Sequence, residues 1–191
     1  METTFITKGM SSRIGMSNSK IMCNPLNDSN KRFVIGKAGN KELLAIGLNP
    51  STANEYKLDP TSKNIQTIAK NNGCDGWWLI NLYPKRTSKP ENLPKKININ
   101  LAKKNICVIR KLLNNDSYSI SRVLCCWGNH VEDHNYLKDQ AKKIISLVNQ
   151  SGHKNQCIGL TRLGNPFHPS PLAVNRFFGG ITNVKLKNYC S

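Results

Sequence analysis

Few side chains in this sequence can do chemistry, and most of them follow short apolar runs. His168 lies between Phe167 and Pro169, and Asn49 and Asn81 each end an apolar stretch. An amide side chain can donate and accept hydrogen bonds but cannot take a proton at neutral pH. A histidine can do either. These three therefore suit the orientation of water and the stabilisation of developing charge. Carboxylates are scarce: 11 Asp and Glu in 191 residues, with Glu132-Asp133 the one adjacent pair. Two-metal phosphodiester cleavage needs clustered carboxylates, which argues against a nuclease. His130 and His134 have the i,i+4 spacing of a metal pair, but no third ligand is evident, so no metal is expected. Seven cysteines form no C-x-x-C pair and several lie in apolar runs. They read as small hydrophobes in a reducing cytoplasm, with no disulfide framework or iron–sulfur cluster.

The partner is indicated by charge. Lys and Arg number 28, giving a formal net charge of +17. A surface this basic attracts polyanions, nucleic acid first among them. No apolar run approaches the length of a membrane span, and residues 1–21 lack the apolar centre of a secretory signal.

The elements that must position these residues alternate. Apolar runs at Glu42–Gly47, Trp77–Leu82, Arg122–Trp127 and Gln156–Thr161 predict four buried strands. Helical spacing is expected from Asp59 to Asn72, from Ile97 to Asn114 and from Tyr136 to Gln150. Residues 1–30 are polar and without period, and read as a tail or loosely attached arm, leaving 31–191 as one domain. Alternating strands and helices predict an α/β fold: three layers, α/β/α, around a central four-stranded, mostly parallel sheet. Ligands bind such sheets beyond the C-terminal strand ends. Asn49, Asn81, Gly128-Asn129 and His168 all follow predicted strands, so they are expected to converge.

The run Phe167-His-Pro-Ser-Pro-Leu-Ala-Val-Asn-Arg-Phe-Phe-Gly-Gly180 resembles the H-P-S-P-L-S-x-x-R-G-F-F-G signature of family 1 uracil-DNA glycosylases. Ala173 stands for the Ser, and one Gly is missing before the two Phe. Val123–His130 resembles that family's L-L-W-G-S-Y segment, and Trp78–Leu82 its L-L-L-N strand. Gly47-Leu-Asn-Pro-Ser-Thr52 is closer to the G-I-N-P-G of mismatch-specific glycosylases. It also resembles, with Asp59-Pro-Thr61, a widespread bacterial and phage family marked by L-N-P-S-T-A and D-P-T.

The resemblance implies a monomeric enzyme that binds DNA without a cofactor. It would flip a nucleotide out of the stack and hydrolyse its N-glycosidic bond, leaving an abasic site. His168 would hydrogen-bond the base, and Asn49 would hold the attacking water. Leu48, Pro50 and Ser51 would shape the base pocket, and Asn81 would read the base edge. Leu172 would be the apolar wedge that fills the vacated stack. Gly128, Asn129 and Ser170 resemble phosphate-pinching loops, and Lys85, Arg86 and Arg176 are phosphate candidates by charge. Family 1 places a Tyr beside C5 of uracil where this sequence has Ser51. A small residue leaves room for a 5-substituent, so a modified pyrimidine is expected, with modified phage cytosine in an anti-phage role one setting. A uracil or mismatch repair enzyme and a non-catalytic DNA-binding module are the alternatives.

Overall fold

The computed structural model describes residues 20–190. Seven strands form one sheet: β1 (Met22–Asn24), β2 (Val34–Lys37), β3 (Glu42–Gly47), β4 (Gly76–Asn81), β5 (Ile120–Cys125), β6 (Asn155–Cys157) and β7 (Lys187–Asn188). Four α-helices are found among the described residues: α1 (Pro60–Asn71), α2 (Ile99–Asn114), α3 (Asn135–Gln150) and α4 (Pro171–Phe178). The fold is α/β, as the alternation of elements predicts.

The sheet is larger and more mixed than the four-stranded, mostly parallel one expected. Its order is β1-β2-β4-β3-β5-β6-β7. The four anticipated strands make a parallel centre, β4-β3-β5-β6. Antiparallel strands extend it at both ends, β1 and β2 beside β4 and β7 beside β6. These additions are two to four residues long and lie outside the parallel centre. Short outer strands need no long apolar run, which is why periodicity misses them. Of the expected tail, residues 1–19 lie outside the described residues, while Met22–Asn24 is the sheet's edge strand.

The central strands read as continuous apolar runs because both faces are covered. Leu44, Ile46, Trp78, Ile80, Val123 and Cys125 pack on one side with Ala102 and Ile109 of α2 and with Leu137, Ala141 and Ile144 of α3. Their neighbours Leu43, Ala45, Trp77, Leu79, Leu124 and Cys126 face the other side, against Ile65, Ile68 and Ala69 of α1. This is the two-residue alternation of a pleated strand. Capping sets the helix starts. Asp59 accepts from the Ser62 amide at 2.8 Å with Pro60 in the first turn, and Asn98 accepts from the Leu101 amide at 3.0 Å. Ser170 likewise caps α4 from the Ala173 amide at 3.3 Å.

Connections from β3 run to one side of the sheet and those from β5 to the other, so the strand order reverses between them. Such a switch point opens a crevice at the C-terminal strand ends. No described helix is long and apolar enough to cross a membrane.

Candidate active site

A compact cavity of about 40 Å³ sits at that crevice. Gly47 and Asn49 reach it from the end of β3, Asn81 from β4, and Cys126 from β5. His168 comes from the loop before α4, Ser51 and Asp59 from the β3–α1 connection, and Thr61 from the first turn of α1. Arg32, Ile65 and Leu79 complete the wall. Of the residues expected to act on a base, Asn49, Ser51, Asn81 and His168 are thus brought together from segments far apart in sequence.

Asn49 is held by its amide nitrogen. Nδ2 donates to the Thr87 carbonyl at 2.8 Å and to the Pro50 carbonyl at 3.0 Å. Both amide protons are therefore spent on backbone, and Oδ1 has no hydrogen-bond partner among the described residues. The side chain presents a fixed acceptor, the form an amide needs to orient a water.

Asn81 is buried, and its Nδ2 has no partner. Gly47 makes room for it, because a Cβ there would lie 2.9 Å from Asn81 Oδ1. The Asn81 carbonyl accepts from Asn105 Nδ2 at 2.8 Å, which ties the strand end to α2.

His168 is fixed by its surroundings. The next carbonyl, of Pro169, accepts from Asn64 Nδ2 of α1 at 2.9 Å. Gly128 adopts φ +73° beside it, and a Cβ at Gly128 would come within 3.1 Å of His168 Cβ. Part of the residue stays open to solvent, yet it is packed densely enough that burial pulls the imidazolium pKa down to about 4. The Asp59 carboxylate opposes this shift and His130 adds to it. At neutral pH the ring is uncharged and offers one N–H donor.

Other expected site residues make contacts within the scaffold. Leu48 is buried in the core beneath α2 and α3, not in the cavity wall. Pro50 is buried and acts through its carbonyl, which anchors Asn49 and accepts from the Thr87 amide at 2.9 Å. Arg86 is no free phosphate ligand: its Nη1 donates to the Ser51 carbonyl at 2.7 Å and the Ala53 carbonyl at 2.9 Å. Its Nε reaches the Lys31 carbonyl at 3.4 Å. Gly128 is buried, and its amide donates to the Pro166 carbonyl at 2.9 Å, joining the β5 loop to the His168 loop. Asn129 is exposed, with Oδ1 accepting from Thr161 Oγ1 at 2.6 Å. Ser170 spends its hydroxyl on the α4 cap.

The remaining candidates lie at or near the surface. Leu172 is 75% exposed in the first turn of α4, and Phe177 in its last turn is 56% exposed. Arg176 is exposed, its guanidinium 5.3 Å from the Phe177 ring centroid. Lys85 is half-buried and bridges to Lys31 through backbone. His130 pairs with Asp133 at 2.7 Å, and His134 caps α3 from outside the helix, so the two do not share a helical face.

Sequence reasoning missed Arg32, Thr61 and Cys126 as cavity residues and took Asp59 as a helix start alone. Asp59-Pro-Thr61 was the available signal. Arg32 carried none, because the strand that follows it was not recognised.

The chain belongs to the family described as protein of unknown function (DUF1643), whose model matches residues 32–170. That stretch contains every residue that lines the cavity. No curated protein and no solved structure matches the chain.

Proposed function

We propose that this protein is a DNA glycosylase of the uracil-DNA glycosylase superfamily that removes a pyrimidine, 5-substituted or otherwise modified, from a flipped nucleotide. One observation carries the reading: Asn49, Asn81 and His168 meet in a single cavity at the topological switch point, with the Asn49 acceptor open and the Asn81 donor unpaired. Hydrolysis breaks the C1′–N1 bond and sends both electrons to the base. Water adds its oxygen to C1′, and its proton passes to the expelled base or to solvent. Asn49 orients that water but cannot deprotonate it, so bond breaking runs ahead of attack. Neutral His168 donates to the base as its charge grows. Asn81 offers its unpaired amide to the base edge.

Ser51 supports a substituted base. It lines both the cavity and an open polar cleft of about 500 Å³ whose walls include Asn27, Asn54, Glu55 and Thr87. On this reading, a group carried on C5 would be directed past the small Ser51 side chain toward that cleft. The net charge of +17 supports DNA as the partner.

The test is excision from labelled oligonucleotides carrying uracil, thymine opposite guanine, hydroxymethylcytosine or glucosylated hydroxymethylcytosine. Alkaline cleavage reveals abasic sites. The expected result is cleavage of at least one base that Asn49→Ala and His168→Ala both lose by about 100-fold or more. Tight DNA binding with no abasic product on any oligonucleotide would replace the enzyme with a binding module.

A further inference from the structure

Arg32 is 1% exposed and lines the same cavity. Its Nη1 donates to the Ala53 carbonyl at 2.9 Å, while its Nε is buried with no partner. Among the described residues it forms no ion pair. The charges it feels most are Arg86, which repels it, and Asp59, which lies beyond ion-pair distance. Burial and Arg86 lower its pKa to about 10, so it remains a cation at neutral pH.

A buried guanidinium without a carboxylate is strongly unfavourable unless something anionic offsets it. A purely structural role accounts poorly for it. The Ala53 carbonyl that it touches already receives Arg86 Nη1 at 2.9 Å, so that loop has its clamp. A second buried donor without a partner, Asn81 Nδ2, lines the same cavity. The one carboxylate in the wall, Asp59, accepts from the Ser62 amide at 2.8 Å and the Ala53 amide at 3.4 Å and makes no ion pair with Arg32, so neither unpaired donor has a negatively charged partner.

A departing base supplies one. When the C1′–N1 bond breaks, the electron pair leaves on the pyrimidine and spreads onto its ring nitrogen and carbonyl oxygens. Neutral His168 can donate a hydrogen bond to that anion but brings no formal charge. We propose that Arg32 is a further catalytic residue of this site, the buried cation that stabilises the departing pyrimidine anion. The assignment rests on the glycosylase reading. Arg32 keeps its proton throughout, and no electron acceptor is required.

The experiment is single-turnover excision of uracil and of 5-fluorouracil from otherwise identical single-stranded oligonucleotides. The parent, Arg32→Gln and Arg32→Lys are compared, with thermal melting of each. Fluorine makes the base a better leaving group that needs less help from a cation. Arg32→Gln is expected to slow uracil excision by about 100- to 1,000-fold. It should slow 5-fluorouracil excision by about tenfold less, with Arg32→Lys recovering part of the loss. Affinity for a non-cleavable 2′-fluoroarabino-uridine oligonucleotide should stay within about twofold of the parent, since the charge matters only as the bond breaks.

Equal slowing of both bases would overturn the proposal and leave Arg32 as a support for the Ala53 loop. Should Arg32→Gln fail to fold, inhibition of the parent by free 5-fluorouracil decides. A pocket built for the anion binds it more tightly as pH rises and the free base ionises, and inhibition flat with pH would overturn the proposal. A parent that cuts neither these bases nor any other in the oligonucleotide panel removes the glycosylase reading itself; a parent active only on another base of that panel is compared with Arg32→Gln on that base, where an unchanged rate overturns the proposal for Arg32 alone.

Discussion

Acid should destabilise this protein through His168, by an amount that the structure fixes. Burial lowers the imidazolium pKa from an ordinary 6.5 to about 4. The folded ring therefore holds a proton more weakly than the unfolded one. As pH falls below 6.5 the unfolded chain takes up the proton first, and stability drains until the folded ring also protonates near pH 4. Above pH 6.5 nothing is lost. At 1.36 kcal/mol per pKa unit, the full loss is about 3 kcal/mol, most of it already reached at pH 4.5. His168→Gln keeps a side-chain donor and cannot titrate. Urea unfolding at pH 7.5 and pH 4.5 gives the stability of both proteins. Every other titrating group is common to the two, so the difference between their losses isolates His168. The parent should lose about 2–3 kcal/mol more than the variant over this interval. Equal losses would mean that the ring protonates as readily folded as unfolded. The neutral donor assigned to the base would then be wrong.

Arg86 and Leu172 separate scaffold from surface. Arg86→Ala removes two charged hydrogen bonds to the Ser51 and Ala53 carbonyls, so a loss of about 2–3 kcal/mol is expected in thermal or urea unfolding. The salt dependence of DNA binding should be unchanged, whereas normal stability with a shallower salt slope would restore Arg86 as a phosphate ligand. Leu172 is 75% exposed, so Leu172→Ala should alter stability by less than about 0.5 kcal/mol. Its effect should fall on double-stranded substrate, where a wedge must hold the stack open, and spare single strands. An equal loss on both would exclude the wedge.

The parallel centre of the fold was legible because burial on both faces leaves an unbroken apolar run. Glu42–Gly47 is β3 with the bounds expected of it, and the runs at Trp77 and Arg122 fall on β4 and β5 within two residues, whereas the strand expected at 156–161 meets β6 only at Gln156 and Cys157. The outer strands were not legible: β1 and β7 are two or three residues long, and β2 offers only four. Pro171 occupies the first turn of α4 behind the Ser170 cap, where no helix was expected from periodicity. That is a helix start written in its usual residues. Within the site, His168 was legible through the motif that contains it, and Asn49 and Asn81 because they follow strands. Leu48 and Pro50 share that position, but one turns into the core and the other works through its carbonyl. Sequence spacing distinguishes neither.

The basic residues show the same limit, and resolving it separates two kinds of electrostatics. In composition, 28 Lys and Arg are interchangeable contributions to +17. In the fold they divide by partner. Arg86 is consumed by backbone carbonyls. Arg176, Lys89, Lys95 and Lys96 are exposed. On the proposed reading, charges of that second kind would draw DNA in from solution through a field that salt screens over about 10 Å. Arg32 belongs to neither group, because it is buried beside the cavity and too deep to meet a phosphate on approach. A charge in that position does little for encounter and much for a bond that breaks next to it, where water screens it least. The attraction proposed to bring this protein to DNA and the charge proposed to act on a base therefore reside in different arginines and lysines. Composition exposes the first, and burial alone exposes the second.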